Sequence, residues 1–95
     1  MNLENSVKIS GHTHFLKGSS EGETATGKYL QFAVRQESIG TDGLPRKDFL
    51  VVRVYDEALR EALKLKQEND PVTVEGTLRS SKGSGINYVR CTSIA

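Results

Sequence analysis

The chain has 95 residues, 36% hydrophobic and 26% charged, with no Trp, one Cys and a formal net charge of +1. This size leaves room for one small globular domain and excludes two-domain enzymes, disulfide-stapled scaffolds and collagen-like chains. A domain this small is marginally stable alone, so we expect it to form an oligomer. The sequence has neither a signal-peptide pattern nor an apolar run long enough to span a membrane, so we expect a cytoplasmic protein without membrane contact.

Five segments alternate apolar β-formers with polar residues, and Gly, Ser, Asn or Pro separate them. They predict strands at residues 7–15, 28–38, 47–55, 72–80 and 86–94. Between the first two strands the chain is small and polar, and we expect a plain loop at 17–27. Turn-forming residues at 40–45 predict a hairpin between the second and third strands, and those at 82–85 predict one between the last two.

Residues 56–66 carry the only helical pattern of the chain. Asp56 is placed to cap the helix N-terminus, and an apolar stripe follows it, made of Ala58, Leu59, Ala62 and Leu63. Five strands with one helix between the third and fourth is the order of an all-β, five-stranded Greek-key OB-fold barrel, here a single domain over residues 1–95. A ferredoxin-like sandwich would need a helix after its first strand, where the polar loop lies.

The segment from Gly22 to Lys28 has the spacing of a phosphate-binding loop. That motif needs a Ser or Thr after the Lys to hold Mg²⁺, and Tyr29 stands there instead; a strand rather than a helix follows. Nucleotide hydrolysis is therefore not expected.

Two histidines, His12 and His14, share the outward face of the first predicted strand and could supply two metal ligands. We expect no third ligand, because Cys91 is the only thiol and no carboxylate is predicted nearby. Surface histidines or histidines that contact nucleic acid are the alternative. Cys91 also has no disulfide partner, which fits a reducing compartment, and we expect it to be a buried apolar residue.

Catalytic patterns are absent from the sequence. No nucleophile elbow or paired-acid arrangement occurs. The carboxylates of Glu37, Asp48 and Glu75 are too scattered along the chain for the metal site of a nuclease. We expect no enzyme activity and no cofactor.

Positive charge concentrates in the predicted strands and at their edges. Nine of the 13 Lys and Arg residues lie there: Lys8, Lys28, Arg35, Arg46, Lys47, Arg53, Arg79, Lys82 and Arg90. Only Glu37, Asp48 and Glu75 accompany them, while the other acids lie mostly in the predicted loop and helix. This pattern predicts a polarised surface that the net charge conceals.

Aromatic residues interleave with these cations on the outward face of the sheet. The third predicted strand presents Phe49, Arg53 and Tyr55, and the second adds Tyr29 and Arg35. Single-stranded nucleic acid is bound by such patterns, since bases stack on rings while cations follow the phosphates. The alternative is that the rings seal the barrel or form a subunit contact.

Five pieces of the chain match a known pattern in the same order: residues 5–11, 30–34, 48–52 and 70–79, together with Tyr88 in the last strand. Through these pieces the sequence resembles the OB-domain of the bacterial single-stranded DNA-binding protein family over nearly its whole length. The resemblance implies single-stranded DNA binding in replication, recombination or repair. It also implies that Phe49, which matches a Trp of the family, and Tyr55, which matches a Phe, each stack a base.

The sequence departs from that family at several positions. Ser38 and Gly83 stand where its housekeeping members commonly have Trp, and Asp56 and Glu57 replace a frequent Gly-Lys pair. Without the two Trp stacking platforms, weaker binding is expected. The chain ends at Ala95, so we expect no acidic tail for recruiting other enzymes. Primosomal replication protein N, a tailless dimeric relative, is also similar. An origin as a short copy from a phage, plasmid or other mobile element would also fit.

Taken together, these features predict a non-catalytic protein that binds single-stranded DNA on the second and third strands. Bases are expected to stack on Phe49 and Tyr55, with help from Tyr29 and Tyr88. The residues expected to neutralise phosphates are Arg35, Arg46, Lys47, Arg53, Arg79 and Lys82.

The expected assembly is a homodimer or homotetramer with its contact at the first strand. Two alternatives stay open: an adaptor that binds single-stranded DNA and replication or primosome proteins, and a module that binds only proteins. RNA in place of DNA also stays open.

Overall fold

The computed structural model describes residues 3–17, 21–25 and 27–95. In chain order its elements are β1 (Val7–His14), β2 (Glu21–Thr24), β3 (Gly27–Ile39), β4 (Pro45–Val54), α1 (Glu57–Lys64), β5 (Pro71–Ser80) and β6 (Asn87–Ile94). The five predicted strands are all present, with ends close to those expected. The mostly-β class and the single helix between the third and fourth predicted strands are confirmed.

The prediction of a plain loop at 17–27 is wrong, because β2 forms there. β2 pairs antiparallel with the start of β3, from Glu21 opposite Leu30 to Thr24 opposite Gly27. It contains no large apolar residue, so hydrophobic alternation could not reveal it, and backbone pairing with β3 defines it. Residues 18–20 and 26 of the predicted loop lie outside the described residues. Within the described residues the sheet therefore has six strands and not five.

The strands follow the order β1-β5-β6-β4-β3-β2 across the sheet. β1 also pairs with β3, through His12 opposite Arg35 to His14 opposite Ala33. The sheet thus bends back on itself through β1. β4 and β6 run parallel, whereas the other neighbours run antiparallel.

Side chains from four strands and the helix fill the core: Phe32, Val34, Val52, Val54, Leu63, Val72, Val74, Val89 and Cys91. They come from the inward faces that the alternation predicts, and each large apolar side chain contributes about 1.5–3 kcal/mol by its burial. Cys91 is buried as expected, and burial raises the pKa of its thiol.

The helix α1 is shorter than predicted, but its start agrees. Asp56 is the N-cap, and its Oδ1 accepts a hydrogen bond from the backbone N–H of Leu59 at 3.1 Å. Leu63 is buried in the core, whereas Ala58, which the predicted stripe included, is exposed. No helix in the described part of the chain is long and apolar enough to cross a membrane.

Candidate nucleic-acid interface

Three neighbouring strands direct side chains to one outward face. Because strand residues alternate, the core residues of β3 and β4 point inward while Tyr29, Gln31, Arg53 and Tyr55 point outward. Gln31 pairs with Arg53 across β3 and β4, and the parallel register of β4 and β6 sets Arg53 opposite Arg90. Residues that are distant in sequence therefore meet on this face.

The side chains on this face alternate between rings and cations. The Cζ atom of Arg53 lies 4.2 Å from the ring centroid of Tyr88 and 4.7 Å from that of Tyr29. The centroids of Tyr29 and Tyr55 are 5.2 Å apart, with their planes at 44°. The Cζ atom of Arg90 lies 4.6 Å from the centroid of Tyr55. We call these five half-buried residues the tyrosine–arginine ladder.

The ladder is held from within the sheet. Arg53 Nε donates a hydrogen bond to Gln31 Oε1 at 2.9 Å, which fixes the guanidinium between its two rings. Each cation–π contact at such a site contributes about 0.5–1 kcal/mol. The ladder also contains every tyrosine of the chain, which has 3 Tyr and no Trp. Tyrosine fluorescence therefore reports on this surface alone.

Two ladder contributors were not assigned to the site from sequence. From the sequence, Arg90 is placed among the basic strand residues without a role at the site, and Gln31 is assigned no role. Alternation along the last strand does place Arg90 on the same face as Tyr88. The contact between Arg90 and Tyr55 depends on the parallel pairing of β4 and β6, for which the sequence carries no signal.

Phe49 lies on the outward face of β4 but apart from the ladder. It is six residues before Tyr55, which corresponds to about 20 Å along a strand. Its side chain is 48% exposed, and its ring centroid lies 5.1 Å from that of His14 on β1. The two residues expected to stack bases are therefore two separate platforms.

A carboxylate supports the His14 side of that aromatic pair. Glu68 Oε2 lies 2.8 Å from His14 Nδ1, and Glu68 Oε1 accepts a hydrogen bond from the backbone N–H of Phe15 at 2.8 Å. Both hydrogen bonds lower the pKa of Glu68, and the one from the Phe15 N–H has the larger effect. The expectation that no carboxylate lies near the histidines is wrong, because Glu68 is distant in sequence. Within the described ranges, no cluster of three or more His, Cys, Asp or Glu could hold a metal ion.

Arg35 is placed differently from the other cations expected to contact phosphates. Its side chain is only 20% exposed, its Nη1 donates to Asn69 Oδ1 at 2.6 Å, and its Nε lies 3.3 Å from Glu37 Oε1. The contact with Asn69 joins β3 to the turn before β5, whereas Glu37 lies on β3 itself. A phosphate contact by Arg35 stays a prediction, and it would compete with both partners.

The remaining cations lie towards the ends of two hairpins. Arg46 and Lys47 are exposed at the start of β4, where Arg46 Nε lies 3.4 Å from Asp48 Oδ1. Arg79 pairs with Tyr88 across β5 and β6 and so borders the ladder.

Lys82 is exposed in the turn after β5. At the opposite edge of the sheet, β2 brings Glu21 and Glu23 alongside β3, so negative charge lies closer to Tyr29 than the sequence pattern indicates.

No family model matches the chain, and no curated protein matches its sequence. Its fold is similar to that of a small single-stranded DNA binding protein from Mycoplasma pneumoniae, with a TM-score of 0.73 and 15% identity over 98% of this chain and 93% of that one. It is also similar to Rim1, a mitochondrial single-stranded DNA binding protein from S. cerevisiae, with a TM-score of 0.74 and 17% identity over 96% and 90% of the two chains.

A third similar structure is the N-terminal domain of the PriB protein from Thermoanaerobacter tencongensis, described as dimeric. Its TM-score is 0.67, with 22% identity over 96% of this chain and 93% of that one. At these identities the likeness is one of fold. The resemblance found in the sequence is thereby confirmed at the level of the fold: the chain folds as the small single-stranded DNA-binding proteins do.

Proposed function

We propose that the chain is a non-catalytic domain of the Greek-key OB type, with β2 added to its five strands, and that it binds single-stranded DNA on the outward face of β3, β4 and β6. The tyrosine–arginine ladder supports this proposal most directly. Its rings offer faces to bases of any identity, and each stacked base contributes about 1–3 kcal/mol. Its two guanidinium groups stack on rings and also attract phosphates.

Phosphate contacts are proposed for exposed cations at the border of the ladder and at the start of β4. These are Arg46, Lys47, Arg79 and Lys82, with Arg53 and Arg90 inside the ladder. Each phosphate that they neutralise releases counterions, which adds about −0.7 to the log–log dependence of the binding constant on salt. Binding should therefore weaken steeply as salt rises.

We propose a homodimer or homotetramer that contacts through β1, and a role in DNA replication, recombination or repair. β1 pairs with β5 from Val7 to His12, whereas its pairing with β3 begins only at His12. Among the described residues, the other edge of the first half of β1 has no strand partner. An open edge can pair with the same strand of a second copy. The dimeric PriB domain supports such an assembly by analogy of fold.

A second candidate function is an adaptor that also contacts replication or primosome proteins. The tip of the β3–β4 hairpin favours it, because Ile39 is 70% exposed and Leu44 is 62% exposed there. Exposed apolar side chains beside Arg46 and Lys47 suit a protein contact. Such a contact should be less sensitive to salt than DNA binding.

The proposed function is tested with a labelled oligo-dT strand of about thirty nucleotides, long enough to cross an OB-type surface. Anisotropy at low and moderate salt gives affinity, and quenching of tyrosine fluorescence reports stacking on the ladder. Tyr55→Leu should weaken binding by about five- to a hundredfold, whereas Tyr55→Phe, which keeps the ring, should bind nearly as well as wild type. An oligo-U strand of equal length shows whether RNA competes.

Absence of binding at low salt would exclude the proposed function and leave the protein-binding alternative. Binding without tyrosine quenching would move the DNA site away from the ladder.

A further inference from the structure

The ring of Tyr29 lies directly over the backbone of Gly22. The two residues are partners across β2 and β3. An ideal Cβ added at Gly22 would overlap Cζ and Oη of Tyr29 and would lie 2.8 Å from Cε1. Real Cβ atoms do not approach other atoms this closely. The position of the ring therefore depends on the absence of a side chain at Gly22.

β2 makes little other contribution to packing. None of its four residues is buried; Gly22 is half-buried and the other three are exposed. The other described contacts of the Tyr29 ring are within the ladder, where Arg53 Cζ and the Tyr55 ring lie 4.7 and 5.2 Å from its centroid. Tyr29 is thus confined between the backbone of β2 and its ladder neighbours.

We propose that Gly22 is a positioning residue for DNA binding: its bare backbone lets the hydroxyl end of the Tyr29 ring lie against β2 while the ring contacts its ladder neighbours. This inference rests on the proposed function. A side chain at Gly22 would push the end of the ring away from β2. Because Arg53 and Tyr55 contact the same ring, the displacement would pass to both of them.

The first test compares Gly22→Ala with Thr24→Ala, a control on the same strand that lowers β propensity without changing charge. In the free protein, Gly22→Ala should change the near-ultraviolet circular dichroism and the fluorescence of tyrosine, while Thr24→Ala leaves both close to wild type. With the oligo-dT strand, Gly22→Ala should weaken binding by about three- to tenfold through misplacement of one stacking ring. An unchanged tyrosine signal in Gly22→Ala would overturn the proposal.

The second test repeats Gly22→Ala in a Tyr29→Leu background. With the ring gone, the added methyl group has nothing to displace, so DNA affinity should show no further loss. An equal loss in both backgrounds would show that Gly22 acts only through β2 itself. If Gly22→Ala alone lowers the free energy of unfolding in urea, the same substitution in the Tyr29→Leu background should not lower it. An equal loss of stability in both backgrounds would also overturn the proposal.

Failure of the proposed function is distinguishable from failure of this inference. If the wild type does not bind the oligo-dT strand, the function fails, whereas the tyrosine signals of the free variants still decide whether Gly22 positions Tyr29.

Discussion

The guanidinium of Arg53 reaches the ring of Tyr88, with 4.2 Å between its Cζ atom and the ring centroid. The two residues lie on β4 and β6, which run parallel and pair only at Val52 with Val89 and at Arg53 with Arg90. α1 and β5 separate these strands in sequence. The ladder therefore depends on this short parallel pairing, and a change that separates β4 from β6 should disrupt it.

Replacing Arg53 by Lys tests whether the ladder needs a guanidinium or only a charge. Arg53→Lys keeps the charge but loses the planar group that contacts two rings and Gln31. We expect oligo-dT affinity to fall about two- to fivefold with an unchanged salt dependence. Arg46→Lys, at an exposed position outside the ladder, should bind as wild type does. Equal effects of the two substitutions would show that Arg53 acts as a point charge.

Phe49 should act as a second, independent stacking platform. Phe49→Ala removes a ring that is 48% exposed, so we expect about a five- to hundredfold loss of oligo-dT affinity with little change in stability. Tyrosine quenching at saturating DNA should persist, because Phe49 is remote from the ladder. Leu44→Ala, which removes an exposed apolar side chain on the neighbouring hairpin tip, is the matched control. If Phe49→Ala kept the full affinity, the ring would not stack a base and would only contact His14.

The sequence predicts the strands that bury a face, and it predicts the outward residues of each strand separately. Alternation of Phe32 and Val34 with outward residues identified β3, and the same logic placed Tyr29 and Tyr55 on the surface. Alternation does not identify β2, because its polar residues are not buried and show no hydrophobic periodicity. Because residues 17–27 were expected to form only a loop, the pairing of Gly22 with Tyr29 could not be predicted.

Contacts within the site depend on pairings between distant strands, which the sequence does not encode locally. Arg90 meets Tyr55 because β6 lies beside β4, and Glu68 meets His14 because the turn after α1 lies beside β1. Arg35 was expected to meet phosphate on charge alone, but Asn69 and Glu37 lie against it. Composition and pattern thus identify which residue types reach the surface, whereas topology decides their partners.

The hydrogen bonds of Glu68 should make part of the stability depend on pH. The pKa of this carboxyl is lowered from its ordinary value of 4.5, first by the Phe15 N–H and then by His14. A lowered folded-state pKa gives stability that is fully present above 4.5 and is lost as pH falls through the lowered value. The Tm of wild type should therefore exceed that of Glu68→Gln at pH values above 4.5, and the difference should shrink as the solution is made more acidic. A difference that does not vary with pH would contradict this account.

Gly76 on β5 has no room for a side chain. It lies where β5 and β6 shift register, between Glu75 and Gly76. An ideal Cβ at Gly76 would overlap the carbonyl oxygen of Arg90 and would lie 2.9 Å from its carbonyl carbon and 3.1 Å from Val89 Cγ1. The obstacle is backbone, which cannot rotate aside as the Tyr29 ring can, so the strands themselves must separate.

We therefore expect Gly76→Ala to lower the free energy of unfolding in urea by about 1–3 kcal/mol or more. Thr77→Ala, the neighbouring position on β5, should cost less than about 1 kcal/mol. Since the backbone of Arg90 would have to move and Arg90 belongs to the ladder, Gly76→Ala should also alter tyrosine fluorescence in the folded protein. Equal stability of the two variants would contradict this account, because it would mean that β6 moves away from Gly76 at little cost. The contact of Arg90 with Tyr55 would then not depend on the register of β5 and β6.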